Sequence, residues 1–342
     1  MELPIVVAVT AIVLALGFDF VNGFHDTANA CATVIYTKAL KPRVAIVMSG
    51  ILNFLGALLV GTAVAEVITK IIPAQTVSLT IVVAVLVAAL IWNLITWWYG
   101  IPVSSSHCLI GSLFGAGVTA AGVNGVSWDE LWKVITALLV SPVVGFIAGA
   151  LTTWMALKFG PATPDDGHMS DTHSKFMRWL HILASASVSF SHGSNDGQKT
   201  MGIIALVLGT QFAQYGYQTH VIPLWVMAAA ATAIMFGTII GGWRVIRTVG
   251  TKISRERLTH AQGFGASMST AVIILIASHI GAPISTTHTL SSAVAGGTIP
   301  VYGAGKLNLK TLQLIVLAWV LTLPVAALLS SMSYLILHPI LH

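Results

Sequence analysis

The sequence predicts an all-α polytopic membrane protein: an inverted-topology repeat with two broken helices and two re-entrant helical hairpins. Three observations lead there: a shortage of charge, a succession of apolar stretches, and an internal repeat of polar motifs. Of 342 residues, 56% are hydrophobic and only 8% are charged, and the mean hydropathy is +0.88. A soluble domain carries about a quarter charged residues, so this chain has too few to cover a water-facing surface. No globular tail or low-complexity segment is left over, and 1–342 reads as a single transmembrane domain.

Apolar stretches of about 20 residues, long enough as helix to cross roughly 30 Å of hydrocarbon, recur throughout. They run over 4–37, 43–65, 76–99, 101–123, 128–157, 176–212, 221–243, 263–280, 281–303 and 311–338. Met1 to Leu16 lacks a charged n-region and a small-residue cleavage site, so it reads as a first helix and not as a removed signal peptide. Cys31 and Cys108 have no ligand-like spacing and read as small packing residues.

The repeat is carried by two motifs. Phe20-Val21-Asn22-Gly23-Phe24-His25-Asp26 aligns with Phe190-Ser191-His192-Gly193-Ser194-Asn195-Asp196, matching Phe, Gly and Asp in register. Gly100-Ile101-Pro102-Val103-Ser104-Ser105-Ser106-His107 aligns with Gly281-Ala282-Pro283-Ile284-Ser285-Thr286-Thr287-His288 at nearly every position. Each half therefore reads broken helix, helix, hairpin, helix: a first repeat over 1–157, a cytoplasmic linker over 158–175, and a second repeat over 176–342. The hairpins, 76–123 and 263–303, have no polar loop at their tips long enough to reach water, and read as entering and leaving on one side. Each half then crosses an odd number of times, so the second is inserted upside down.

Charge placement agrees. With the N-terminus outside, thirteen of the sixteen Lys and Arg fall in cytoplasmic loops, Lys70 and Lys133 fall outside, and Lys199 lies within a helix. That is the bias of the positive-inside rule. The net charge of +5 thus reports topology, not nucleic-acid binding. Inverted repeats with polar interruptions near the midplane are the general architecture of secondary transporters.

Asp26 and Asp196 are the most informative residues, because an ionisable side chain within a span is costly and marks a polar cavity or pathway. Asn22, His25 and Asn29 flank the first; His192, Asn195, Gln198 and Lys199 flank the second. Gly23, Gly193 and Gly197 are expected to let the backbone unwind there. The tips add Ser104, Ser105 and Ser106 in one half and Ser285, Thr286 and Thr287 in the other. Each tip follows a proline and opens a helix, so hydroxyls and free N–H groups gather at a helix N-terminus, an arrangement that binds anions. Plain N-capping is the alternative for either tip alone; two equivalent tips beside aspartates favour a tetrahedral oxyanion. His107, His288 and Asp19 are further candidates, each with a simple structural role as its alternative. No nucleotide-binding loop, nucleophile elbow or zinc-spaced Cys/His cluster is present, so nothing points to an enzyme, and no metal-ligand set is assigned.

Asn22-Gly23-Phe24-His25-Asp26-Thr27-Ala28-Asn29-Ala30, its partner His192-Gly193-Ser194-Asn195-Asp196-Gly197-Gln198-Lys199, and the two Pro-x-Ser-x-x-His tips resemble the signature of the inorganic phosphate transporter (Pit) family. The resemblance covers about 17–338 and is closest to the bacterial low-affinity phosphate permeases. It implies a multi-pass phosphate:cation symporter of the cell membrane, often a homodimer in its lipid bilayer, with no cofactor. It passes Asp26, Asn29, Asn195 and Asp196 to cation coordination and the Ser/Thr tips to phosphate; Asn22 and His25, which flank Asp26, are added as coupling candidates from their position in this sequence. One departure matters: sodium-coupled members carry Asn-Asp in both signatures, whereas the first one here reads His25-Asp26. An imidazole titrates near neutrality and suits sodium poorly, since sodium prefers hard oxygen donors. Coupling thus leans toward protons, with sodium, or phosphate carried with a divalent metal, as alternatives.

Some coupled cation is required, because moving a divalent phosphate inward against 100 mV costs about 4.6 kcal/mol from charge alone. Sulfate or a related oxyanion is the alternative cargo. Phosphate can donate a hydrogen bond to a carboxylate and sulfate cannot at neutral pH, so the aspartates tilt toward phosphate. A channel, or a sensor that binds without transporting, is the alternative of another class.

Overall fold

The structure, a computed structural model, describes residues 3–159, 171–219 and 221–341. Among them the chain forms α1 (Leu3–Tyr36), α2 (Pro42–Leu59), α3 (Ala63–Ile71), α4 (Leu79–Tyr99), α5 (Ser105–Ala121) and α6 (Trp128–Phe159). These are followed by α7 (Asp171–Gln211), α8 (Leu224–Ile240), α9 (Trp243–Thr251), α10 (His260–His279), α11 (Thr286–Tyr302) and α12 (Leu309–Leu341). The second six repeat the first six in order and closely in length: α3 and α9 each have 9 residues, α5 and α11 each have 17.

Local chemistry sets the ends. Ser78 and Thr259 cap α4 and α10 by accepting the N–H of Ile81 and Gln262. Both helices give way to a left-handed glycine, Gly100 with φ 66° and Gly281 with φ 74°, a conformation a Cβ disfavours. Each glycine turns the chain into a short extended tip from which α5 or α11 starts.

Packing runs across the halves. α1 packs on α8 and α7 on α2; α5 packs on α12 and α11 on α6. Each of these contacts has its counterpart with the halves exchanged. α1 and α7 cross antiparallel: Asn22 lies against Asp196, Asp26 against His192, and Ala30 against Ser185. α6 and α12 show Val143, Ile147 and Leu151, and Val320, Leu328 and Leu335, outward. Among the described residues seven helices are long and apolar enough to cross a membrane, eight if the bent pair α8–α9 counts as one span. α7 is not among the seven because its middle is polar and faces inward.

The helix breaks expected at Asp26 and Asp196 are absent: α1 and α7 run continuously through both motifs, over 34 and 41 residues. The glycines serve close approach instead of unwinding. A Cβ on Gly23 would strike the α8 backbone at Ile234 and Thr238, and one on Gly193 would strike the α2 backbone at Asn53. Gly197 lies against the Ala57 side chain. Gly237 and Gly56 complete the same crossings from the other side, against Phe20 and Phe190. Small residues let membrane helices touch backbone to backbone, and an unbroken helix keeps its peptide groups paired where no water can replace them. Interruptions occur elsewhere: the 43–65 stretch divides into α2 and α3, and the 221–243 stretch turns by 69° between α8 and α9. Most of the linker expected over 158–175 lies outside the described residues.

The packing role of Gly193 is testable. Gly193→Ala should destabilise the protein by about 1–3 kcal/mol through overpacking. Gly17→Ala, where an added Cβ meets nothing within 4 Å, should be neutral or gain up to about 1 kcal/mol of helix propensity. Thermal unfolding of both purified variants checks this; equal midpoints would contradict it.

Candidate functional site

The site lies where α1 and α7 cross. Helical spacing puts Asn22, His25, Asp26 and Asn29 together on α1, and His192, Asn195, Asp196 and Lys199 on α7, and none of the eight is more than 2% exposed. Asp26 Oδ1 is 2.8 Å from His25 Nδ1. Asp26 Oδ2 lies 3.7 Å from His192 Nε2 and 3.5 Å from Ser105 Oγ. Asp196 Oδ1 accepts from Lys199 Nζ at 2.6 Å. Its Oδ2 lies 3.3 Å from Asn22 Nδ2, 3.4 Å from Ser105 Oγ and 3.5 Å from His192 Nε2. The single hydroxyl of Ser105 thus stands between a carboxylate from each helix.

The surrounding hydrogen bonds orient both imidazoles. His25 Nε2 is 3.2 Å from Thr96 Oγ1, whose own proton goes to the Trp92 carbonyl at 2.9 Å. The ring therefore donates to Thr96. His192 Nδ1 is 3.0 Å from Asn53 Oδ1, and that amide is oriented by donating its Nδ2 to Thr238 Oγ1 at 2.9 Å. His192 therefore donates from Nδ1. In each ring the remaining nitrogen, Nδ1 of His25 or Nε2 of His192, faces an aspartate. A bare ring nitrogen and a carboxylate are both acceptors, so each contact is favourable only with a proton or a cation between them. The described residues Asp26, His192 and Asp196 also form a group whose ligand atoms all lie within 4.8 Å of one another.

The two tips meet at this crossing. The hydroxyls of Ser104 and Ser285 accept the N–H of His107 and His288, each at 3.1 Å. They are N-caps. The N–H groups of Ser105, Ser106, Thr286 and Thr287 have no partner within their helices. Ser106 Oγ donates to the Ile284 carbonyl at 2.8 Å and accepts from Lys199 Nζ at 2.5 Å. Asn29 Nδ2 donates to Thr286 Oγ1 at 3.3 Å and Thr287 Oγ1 at 3.0 Å. Behind the tips, the His107 and His288 rings are 4.4 Å apart, and His288 stacks on Trp319 at 3.8 Å. Trp319 Nε1 donates to the Pro102 carbonyl at 2.9 Å, so one indole holds both tips.

The structure thus gathers Asn22, His25, Asp26, Asn29, His192, Asp196 and Lys199 with Ser105, Ser106, Thr286 and Thr287. Asn195 turns elsewhere, donating to Ser278 Oγ at 3.2 Å and the Ala282 carbonyl at 3.1 Å. Asp19 is fully buried on α1, and neither carboxylate oxygen has a hydrogen-bond partner among the described residues. Sequence reasoning missed Asn53, Thr96, Thr238 and Trp319. An amide such as Asn53 inside an apolar stretch was a usable signal; a tryptophan in a span was not.

The profile of the phosphate transporter family matches residues 22–330, nearly the whole chain. The chain belongs to the phosphate transporter family. It is accordingly a multi-pass protein of the cell membrane, in a family of transporters and not of enzymes. It is 42% identical to a probable low-affinity inorganic phosphate transporter of Bacillus subtilis (strain 168), over 99% of this chain and 100% of that one. It is 32% identical to the low-affinity inorganic phosphate transporter PitA of Escherichia coli (strain K12), over 95% of each chain. A solved structure described as the sodium-dependent phosphate transporter superposes with a TM-score of 0.85 at 28% identity, covering 98% of this chain and 100% of that chain.

Proposed function

We propose that this chain is a secondary active symporter that carries inorganic phosphate across the cell membrane together with a cation. The convergence of both helix-start tips on the Asp26–Asp196 crossing is the observation that carries this reading. Ser105, Thr286 and Thr287 supply hydroxyls, and these three with Ser106 supply backbone N–H groups, from two directions, as a tetrahedral anion needs. Ser104 and Ser285 contribute by shaping the helix starts. The aspartates accept a hydrogen bond from a protonated phosphate oxygen, which sulfate cannot offer. The site residues are buried on all sides, so transport requires the tips to part from the crossing toward one face at a time.

The same reading assigns the halves. The first repeat spans 1–157 and the second 176–342, with opposite orientations in the membrane and both termini outside. The antiparallel crossing of α1 and α7, and helix contacts that survive exchange of the halves, support it. The hairpin tips then lie near mid-membrane, each behaving as a re-entrant segment.

The coupling cation is a proton in this reading. The His25–Asp26 contact favours it: with His25 donating to Thr96, the 2.8 Å contact to Asp26 needs one further proton between ring and carboxylate. A second reading is favoured by the Asp26–His192–Asp196 group, whose mixed nitrogen and oxygen donors suit a divalent metal travelling with phosphate. The structural neighbour is described as sodium-dependent, and the oxygen donors here are compatible with sodium.

Phosphate uptake into proteoliposomes, with proton, sodium and divalent-metal gradients imposed separately, tests the function. A proton gradient alone should drive concentrative uptake. Removing one partner of a buried ion pair costs about 3–5 kcal/mol, so Asp196→Asn, which strands Lys199, should lower uptake roughly 100-fold or more, and Asp26→Asn should abolish coupling. Wild-type uptake by either variant would refute the assignment. For topology, single cysteines at Lys41 and Lys252 should both resist impermeant label in intact cells; labelling of one alone would break the inverted arrangement.

A further inference from the structure

The halves treat equivalent positions differently at one point that bears on coupling. Three residues after each motif aspartate stands Asn29 in the first half and Lys199 in the second. Both reach across to the other half's tip: Asn29 donates to Thr286 and Thr287, and Lys199 to Ser106. Only Lys199 also bonds its own aspartate, with Nζ 2.6 Å from Asp196 Oδ1 and 2.5 Å from Ser106 Oγ. Its ammonium bridges a carboxylate and a tip hydroxyl, two hard oxygen donors of the kind that coordinate a monovalent cation. Among the described residues no hydrogen bond joins Asp26 to Thr286 or Thr287; the partners of Asp26 are Ser105 and two imidazoles.

We infer that Lys199 is a built-in cation: its ammonium takes the place, between Asp196 and the first tip, that a free coupling cation would otherwise fill. The second half therefore needs no ion from solution, and coupling falls to the Asp26 half alone. A lysine so buried, with 0% exposure, is expensive to keep in a membrane interior. The expense is offset only if a positive charge is wanted there in every conformation, whether phosphate is bound or not. A tethered charge also stays behind when phosphate leaves, so it adds nothing to the charge moved per cycle. The transporter consequently uses one fewer cation per phosphate than its duplicated architecture allows.

The inference rests on the reading that phosphate binds at this crossing, and the test separates the two. Phosphate binding to purified protein is titrated at a series of sodium concentrations and fixed pH. Each additional coupled ion adds one to the slope of log affinity against log sodium. Lys199→Asn recreates the Asn29 arrangement in the second half. Its phosphate affinity should fall at least about tenfold without sodium and recover as sodium rises, with a slope one unit steeper than wild type. Lys199→Gln, which fills more of the lysine's volume, carries the same expectation and serves if the shorter amide does not give folded protein. Lys199→Arg keeps the charge and should keep the wild-type slope. Equal slopes in wild type and the neutral variants would overturn the inference and mark Lys199 as a direct phosphate ligand or a structural staple. A steeper slope in the arginine variant would overturn it too. A wild-type protein that binds no phosphate at all would instead remove the functional reading beneath it.

Discussion

Charge buried away from water, deep inside a bundle of apolar helices, is the constraint that organises this molecule. Asp26, Asp196 and Lys199 are almost entirely inaccessible to solvent, and an isolated charge in such a place costs several kcal/mol even after relaxation. The crossing of α1 and α7 answers that cost by bringing complementary groups from two helices and two tips to one point. Asp196 is neutralised by Lys199 and held by Asn22; Asp26 is flanked by His25 and His192. Asn53 and Thr96, on helices that carry no signature motif, turn the imidazoles so that the remaining nitrogen of each faces a carboxylate.

That convergence depends on helices that approach closely. Gly23 against α8 and Gly193 against α2 let the motif helices lie backbone to backbone with their partners, and such contact is how membrane helices gain packing energy without a hydrophobic drive. The motif therefore carries two functions on different faces of one helix. The polar residues at helical spacing point to the crossing; the glycines point to the neighbour that holds the helix in place. α4 and α10 add the last element, since a left-handed glycine after each, Gly100 or Gly281, turns the chain so that a helix start reaches the crossing.

Much of this is legible in the residues because two polar motifs each occur twice in the sequence. Asp26 with Asp196 and Ser105 with Thr286 stand out as pairs from the repeated motifs alone; in the fold the two aspartates lie together with Ser105 between them, and Thr286 accepts from Asn29, one turn from Asp26. The helix breaks expected at the motifs fail for a physical reason: glycine is ambiguous in a membrane helix, since it permits unwinding and close packing alike, and only the position of the neighbouring backbone decides. The same ambiguity hides the division of 43–65 into α2 and α3 and the 69° bend between α8 and α9. Ser104 and Ser285 show a related limit, because a serine before a helix reads equally as cap and as ligand. Trp319 is illegible as a site residue because its importance comes from contacts across distant parts of the chain, with His288 and the Pro102 carbonyl.

The central claim is that two tips from two halves build one phosphate site over one pair of aspartates. Phosphate titration of purified Ser105→Ala, Thr286→Val and the double variant tests it most directly. One phosphate should bind per chain, and each single change should weaken binding about 5- to 150-fold, the cost of leaving a dehydrated anion oxygen unpaired. Because both donors serve the same ion, the double variant should depart from the sum of the two. Two phosphates per chain, or strictly additive effects with one tip silent, would contradict the account.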